Sequence, residues 1–332
     1  MKYKRVSKMD WDFSVIGFGC WGASGKGSWD GHDDEGQIKA IQKAIELGIN
    51  FFDVAPIYGC GHAEEVLGKA VKGKRDKVFI ATKAGIPWNE NYEGYNDVTK
   101  ENLLKEIDDS LERLQMTYVD LLQVHWPTDK DVPLSETIEA LKIIKASGKA
   151  KYIGLSNFSL EDLKTIDKEV GIVSYQGLYN MLEANASSYH NIPLQYRVAD
   201  EIFPEVKKEG MAFLPYSPLM QGLLTGKITD QTVFGENDVR NHNPKLHGDM
   251  RMKHLQVIEQ IKEMPELSDK PLAEIAINYL VAKEEVTSII ATHANVEEVV
   301  MNVEALNWVM TKETVDRIDV LVKTSLVVES NL

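Results

Sequence analysis

Four polar residues, Asp53, Tyr58, Lys83 and His125, stand at or just beyond the ends of three consecutive β-rich runs. Taken singly, each has a bland reading: Asp53 caps a turn, Lys83 is solvated, His125 is a satisfied rim histidine. Taken together they compose a proton-donating site. A phenol has a reference pKa near ~10, so Tyr58 carries its proton at neutral pH and can pass it to a developing alkoxide. The Lys83 ammonium beside it is expected to stabilise the phenolate and lower that pKa. Asp53 pairs with Lys83, so that no buried charge stands alone. His125 supplies a second hydrogen bond to a carbonyl oxygen and fixes its direction.

Such a constellation needs a scaffold that brings successive strand ends to one level. Short runs rich in Val, Ile, Leu and Phe recur at 14–18, 50–54, 78–82, 119–124, 151–155, 172–176, 211–215 and 286–290. These suit strands buried on both faces of a parallel sheet. Helical periods lie between them, as in 34–47 (Ile38, Ile41, Ile45, Leu47) and 100–114 (Leu103, Leu104, Ile107, Leu111, Leu114). Strands alternating with helices in this number predict an α/β fold, a (β/α)8 TIM barrel with long loops at its C-terminal face. Those loops are 20–32, 84–98, 183–199 and 220–250, and a further helix is expected over 311–323. The rival doubly wound sheet would use Gly17, Gly19 and Gly22 as a G-x-G-x-x-G turn. A polar loop follows instead of a helix, so a flexible turn at the barrel rim is the better reading. The span 1–332 reads as one domain, without linker or repeat.

Composition narrows the partners. The net charge of -14 disfavours phosphate backbones and anionic membrane surfaces, so neither nucleic acid nor membrane is expected. No stretch approaches the ~20 apolar residues of a membrane span, and the N-terminal residues lack a signal-peptide core. With only two cysteines, Cys20 and Cys60, a cytoplasmic protein with free thiols is expected. The histidine spacings, such as His242 with His247, match no metal site, so no metal is expected. Trp29, Trp88, Tyr92, Tyr95 and Trp126 are expected on or beside the rim loops.

The run FFDVAPIYGCGHAEEVLG from Phe51, with VFIATKA from Val78 and DLLQVHWP from Asp120, resembles the signatures of the aldo-keto reductase family. GLSNF from Gly154, YQ at Tyr175, YN at Tyr179, PYSPL from Pro215 and GLLTGK from Gly222 are similar to it as well. The resemblance implies an NAD(P)(H)-dependent oxidoreductase acting on aldehydes, ketones or the matching alcohols, sugars and polyols included. It implies Tyr58 as general acid/base, with Asp53, Lys83 and His125 completing a tetrad. The dinucleotide carries the hard chemistry, so no protein nucleophile is required. The family further implies Ser156, Asn157 and Gln176 on the nicotinamide carboxamide and Tyr216 stacked on its ring. Ser217, Leu219, Thr225, Gly226 and Lys227 would track the pyrophosphate, Gly19 and Trp21 would line the site, and Asn302 would meet the adenine.

Two segments depart from the family pattern. Residues 183–199, with Tyr189, His190, Tyr196 and Arg197, are longer than the usual link and are a candidate substrate wall or homo-oligomer contact. In 290–302, NADP-preferring relatives usually have a basic or hydroxyl residue where Ala294 stands, Arg or Gln at Glu298, and Glu at Met301. Thr292, His293 and Asn295 remain as hydrogen-bond donors, and Lys227 or His293 as reserve partners for a 2′-phosphate. NAD(H) is therefore expected to serve at least comparably to NADP(H). Two other readings compete: a cofactor-bound regulatory module resembling potassium-channel β subunits, and a lyase or isomerase forming a Schiff base on Lys83.

Overall fold

A computed structural model of the chain describes residues 1–25, 33–128, 131–236 and 238–326. Eight parallel strands form the central sheet: β1 (Ile16–Gly19), β2 (Phe51–Asp53), β3 (Phe79–Ala84), β4 (Val119–Val124), β5 (Ala150–Ser156), β6 (Ser174–Leu178), β7 (Ala212–Tyr216) and β8 (Ile289–Thr292). They lie side by side in chain order, and β8 returns to pair with β1. A parallel bridge between Phe213 and Val286, with the Thr287 N–H donating to Phe213 O at 2.9 Å, closes β7 towards β8. The fold is a (β/α)8 barrel. Ten α-helices accompany it among the described residues: α1 (Asp34–Glu46), α2 (His62–Ala70), α3 (Lys100–Leu114), α4 (Leu134–Ser147), α5 (Leu160–Val170), α6 (Phe203–Glu209), α7 (Gly248–Lys262), α8 (Leu272–Ala282), α9 (Val296–Glu304) and α10 (Lys312–Leu326). No described helix is long and apolar enough to cross a membrane.

The two-residue period of a strand sorts each barrel strand into an inward and an outward set. Phe51, Phe79, Ala81, Leu121, Val173, Ala212, Leu214 and Ile290 gather in one buried cluster inside the barrel. Phe52, Ile80, Leu122 and Ile153 join the larger core beneath the helices. One step further along the inward rows, the apolar floor gives way to Asp53, Lys83, Gln123, Ser156 and Gln176, all buried. Strand register levels this polar layer, with Gly19 opposite Asp53, Lys83 opposite Gln123, and Ser156 opposite Gln176.

Three differences from the sequence reading have physical causes. The run 14–18 joins two elements: Ser14 ends an antiparallel hairpin of Tyr3–Arg5 with Asp12–Ser14, and the barrel begins at Ile16. That hairpin carries Phe13 into the barrel floor, edge-on to Phe51 and Phe79 at centroid distances of 5.6 and 4.8 Å. Its Lys4 ammonium donates to the carbonyls of Val281, Lys283 and Val286. The run 286–290 likewise starts early, because only Ile289–Thr292 find Ile16–Gly19 as partners. Nor is the glycine triad a loose turn. A Cβ on Gly17 would lie 2.4 Å from Phe51 Cδ1, so this glycine allows close strand packing, and Cys20–Ala23 wind into a 3₁₀ turn.

Candidate active site

Lys83 is fully buried at the end of the inward row of β3, and its ammonium makes three contacts. It donates to Asp53 Oδ1 at 2.5 Å, to the Val54 carbonyl at 3.1 Å and to Tyr58 Oη at 3.1 Å. Burial pulls its pKa down, but Asp53 and Tyr58 more than offset this, and the net shift is upward. A lysine held so firmly as an ammonium is unsuited to forming a Schiff base. The other carboxylate oxygen of Asp53 accepts from Gln176 Nε2 at 2.9 Å and from Gln123 Nε2 at 3.3 Å. Gln123 was not singled out from sequence, although the inward row that ends at His125 runs back through it by twos.

The lysine was expected to lower the pKa of Tyr58, and the net shift is the reverse. Burial raises it by more than Lys83 lowers it, so the phenol holds its proton firmly. Trp21 and His125 flank the Tyr58 ring edge-on, at 5.0 and 5.9 Å between centroids. Burial and the Lys83 charge push the imidazole of His125 well below its usual pKa, so it stands neutral beside the phenol.

These groups open into a cavity of about 780 Å³, a volume suited to a small-molecule or cofactor site. Its wall carries Tyr58, Asp53 and His125, with Gly19, Trp21, Ser156, Asn157, Gln176, Tyr216, Ser217, Leu219, Thr225, Lys227, Thr292, Ala294, Glu298 and Asn302. Lys83 sits behind Tyr58, and Gly226 lies outside the wall. Ile57, Ile86 and Gln37 also line it and were missed. Trp126 borders the cavity, whereas Trp88, Tyr92 and Tyr95 do not, and Trp29 lies outside the described residues. Of the long segment 183–199, Tyr189 and His190 reach the wall, while Tyr196 is buried.

The end of the cavity at α9 requires another correction. His293 is fully buried against Phe18 at 4.8 Å and its ring nitrogens have no hydrogen-bond partner, so it cannot grip a phosphate there. Asn295 is spent as the cap of α9, its side chain accepting from the Glu298 N–H at 3.0 Å. Glu298 reaches back, its Oε2 accepting from the Ala294 N–H at 2.9 Å.

The residues present fit a nicotinamide dinucleotide. The cavity runs from the Tyr58 phenol to the first turn of α9, an aromatic face (Tyr216) and an amide (Gln176) lie along it, and Lys227 supplies a cation. Ser217, Met220, Gln221, Gly222 and Gly226 all have left-handed backbone, which gives this stretch the tight turns that follow an anionic group closely. Comparison with known proteins agrees: the model of the aldo/keto reductase family matches residues 15–323.

The chain belongs to the aldo/keto reductase family. An aldo-keto reductase of Bacillus subtilis (YhdN) is 34% identical over 283 residues, covering 84% of this chain and 81% of the relative. The NADH-specific methylglyoxal reductase of Escherichia coli is 28% identical over 92% of this chain and 94% of its own. Among solved structures, the glycerol dehydrogenase of Gluconobacter oxydans superposes with a TM-score of 0.85 at 28% identity, covering 98% and 96% of the two chains. This aldo/keto reductase is therefore an oxidoreductase of a family that uses nicotinamide cofactors.

Proposed function

We propose that this enzyme reduces aldehydes or ketones, or oxidises the matching alcohols, with Tyr58 as the proton donor and acceptor. The observation that carries the reading is the buried chain Tyr58–Lys83–Asp53 beside a neutral His125 on the cavity wall. When bound, the nicotinamide dinucleotide supplies or accepts the hydride. In the reductive direction Tyr58 Oη releases its proton to the substrate oxygen. The Lys83 ammonium, 3.1 Å away, stabilises the phenolate left behind. Asp53 keeps that ammonium in place, and an imidazole N–H of His125 orients the substrate oxygen. Trp21, Ile57, Ile86 and Trp126 offer apolar surface around the reacting group. An intact proton-transfer set favours turnover over a purely regulatory, cofactor-bound module. Replacing Tyr58 by Phe should lower kcat at least ~10²-fold, the usual worth of general acid catalysis, with cofactor binding little changed. Wild-type turnover in the folded variant would refute the assignment.

The same reading favours NAD(H) at least as much as NADP(H). Ala294 and Glu298 line the cavity where α9 begins, and the Glu298 carboxylate already occupies the Ala294 N–H. A 2′-phosphate arriving there would meet a negative charge in place of a free donor and an arginine. Titrating both reduced cofactors into the protein tests this. A strong preference for NADPH would overturn it.

A further inference from the structure

The excursion after β6 does more than wall the cavity. Tyr196, 1% exposed, carries its hydroxyl into the barrel rim, where it accepts the Leu178 N–H at 3.1 Å. The same hydroxyl donates to Asn157 Oδ1 at 2.9 Å, and Tyr216 Oη donates to that oxygen at 2.9 Å as well. The amide nitrogen of Asn157 donates to the His125 carbonyl at 3.1 Å and to Ser156 Oγ at 3.0 Å. A side-chain amide has two donor hydrogens and two acceptor lone pairs, so all four are committed within the protein. Two O–H donors also settle which way the amide faces. Asn157 holds this post from a left-handed backbone, φ 66°, which asparagine tolerates better than most residues. On the far side, Tyr189 of the same excursion meets the Tyr216 ring edge-on at 5.2 Å.

We propose that Asn157 is a bridge, not a ligand of the carboxamide, and that Tyr196 is a positioning residue which, through Asn157, fixes the ring of Tyr216. The carboxamide then falls to Ser156 and Gln176. The excursion 183–199 serves cofactor geometry through Tyr196 and the substrate side through Tyr189 and His190. This rests on the reading of Tyr216 as the surface that receives the nicotinamide.

The test is a titration of NADH into the purified protein, read by quenching of tryptophan emission and needing no turnover. Tyr196→Phe keeps the ring and removes one donor from Asn157. The dissociation constant for NADH should rise ~5–10-fold, the worth of about one hydrogen bond. Tyr216→Phe removes the other donor without touching the Leu178 N–H, so it should act in the same direction even if Tyr196→Phe folds poorly. Because both act through one oxygen, the double variant should lose less than the product of the two. The pH–rate profile, which reports Tyr58 and Lys83, should keep its shape in both. Tyr216→Ala separates the two levels of the argument. If it weakens binding while Tyr196→Phe and Tyr216→Phe bind NADH as the parent does, the positioning role is wrong and the stacking reading survives. If Tyr216→Ala leaves affinity and quenching unchanged, the stacking reading falls, and the proposal with it.

Discussion

Replacing Lys83 by Met separates what the buried ion pair does for folding from what it does for chemistry. The pair is sealed: neither side chain is more than 2% exposed, and Nζ lies 2.5 Å from Asp53 Oδ1. Gln176 and Gln123 would still donate to Oδ2, but nothing in the structure replaces the cation at Oδ1. Removing one member of such a pair costs about 3–5 kcal/mol, because the remaining charge stays buried. Neutralising both, in Asp53→Asn with Lys83→Met, should recover most of that loss, since neutral replacements of buried pairs range from harmless to stabilising. Turnover should follow a different course. The charged hydrogen bond to Tyr58 is worth ~1.5–3 kcal/mol in stabilising a phenolate, so both variants should lose ~10–10²-fold in kcat. Urea unfolding at constant pH and initial rates with a carbonyl panel supply the two readouts. A single variant within ~1 kcal/mol of the parent, or a folded double variant with parental turnover, would refute this account.

Two further outcomes follow from the geometry. Burial lifts the carboxyl of Glu106 to about 7, against the Gly85 N–H and Asn102 Nδ2 that favour its charged form. The folded state then binds the extra proton between the carboxyl's ordinary pKa and about 7, so this group costs stability as pH rises through that window. Glu106→Gln keeps the acceptor for Gly85 and removes the charge. It should match the parent at low pH and exceed it by on the order of 3 kcal/mol above neutrality, and a difference that is flat with pH would contradict this. At the other end of the cavity, Ala294→Arg with Glu298→Gln frees a backbone N–H and adds a bidentate cation. The ratio of the NADPH to NADH dissociation constants should fall ~10-fold or more, and an unchanged ratio would show that α9 does not face the ribose.

The tetrad was legible because strand periodicity and residue chemistry agree there. FFDV, FIATKA and DLLQVH each carry their polar residue one inward step beyond an apolar one, and a barrel stacks those steps into one layer. Helices with a clean apolar stripe were legible for the same reason, the span 100–114 matching α3 end to end. What was hidden depends on distant parts of the chain. Phe13 reads as another apolar residue until a hairpin carries it into the barrel floor. His293 reads as a donor until Phe18 and the turn at Cys20–Ala23 cover it. The sign of the Tyr58 shift required knowing whether burial or Lys83 wins, and no local pattern contains burial. Tyr196 looked like surface polarity in a long loop, yet its partners Leu178 and Asn157 lie 18 and 39 residues away.

The two networks that meet at the cavity explain why a buried charge pair is tolerable here. Asp53 would be an expensive group in a barrel interior if Lys83 were its only partner. Gln176 and Gln123 satisfy its second oxygen, so the carboxylate that steadies the proton relay is also the anchor for an amide on the cavity wall. Asn157 does the corresponding work on the other side, tying the His125 backbone to Ser156, Tyr196 and Tyr216. The phenol and the imidazole are thereby fixed relative to the residues that would receive the cofactor, before any ligand arrives. Dipoles held in this way need not reorganise as charge develops on the substrate oxygen, and that is where an electrostatic site gains most of its rate.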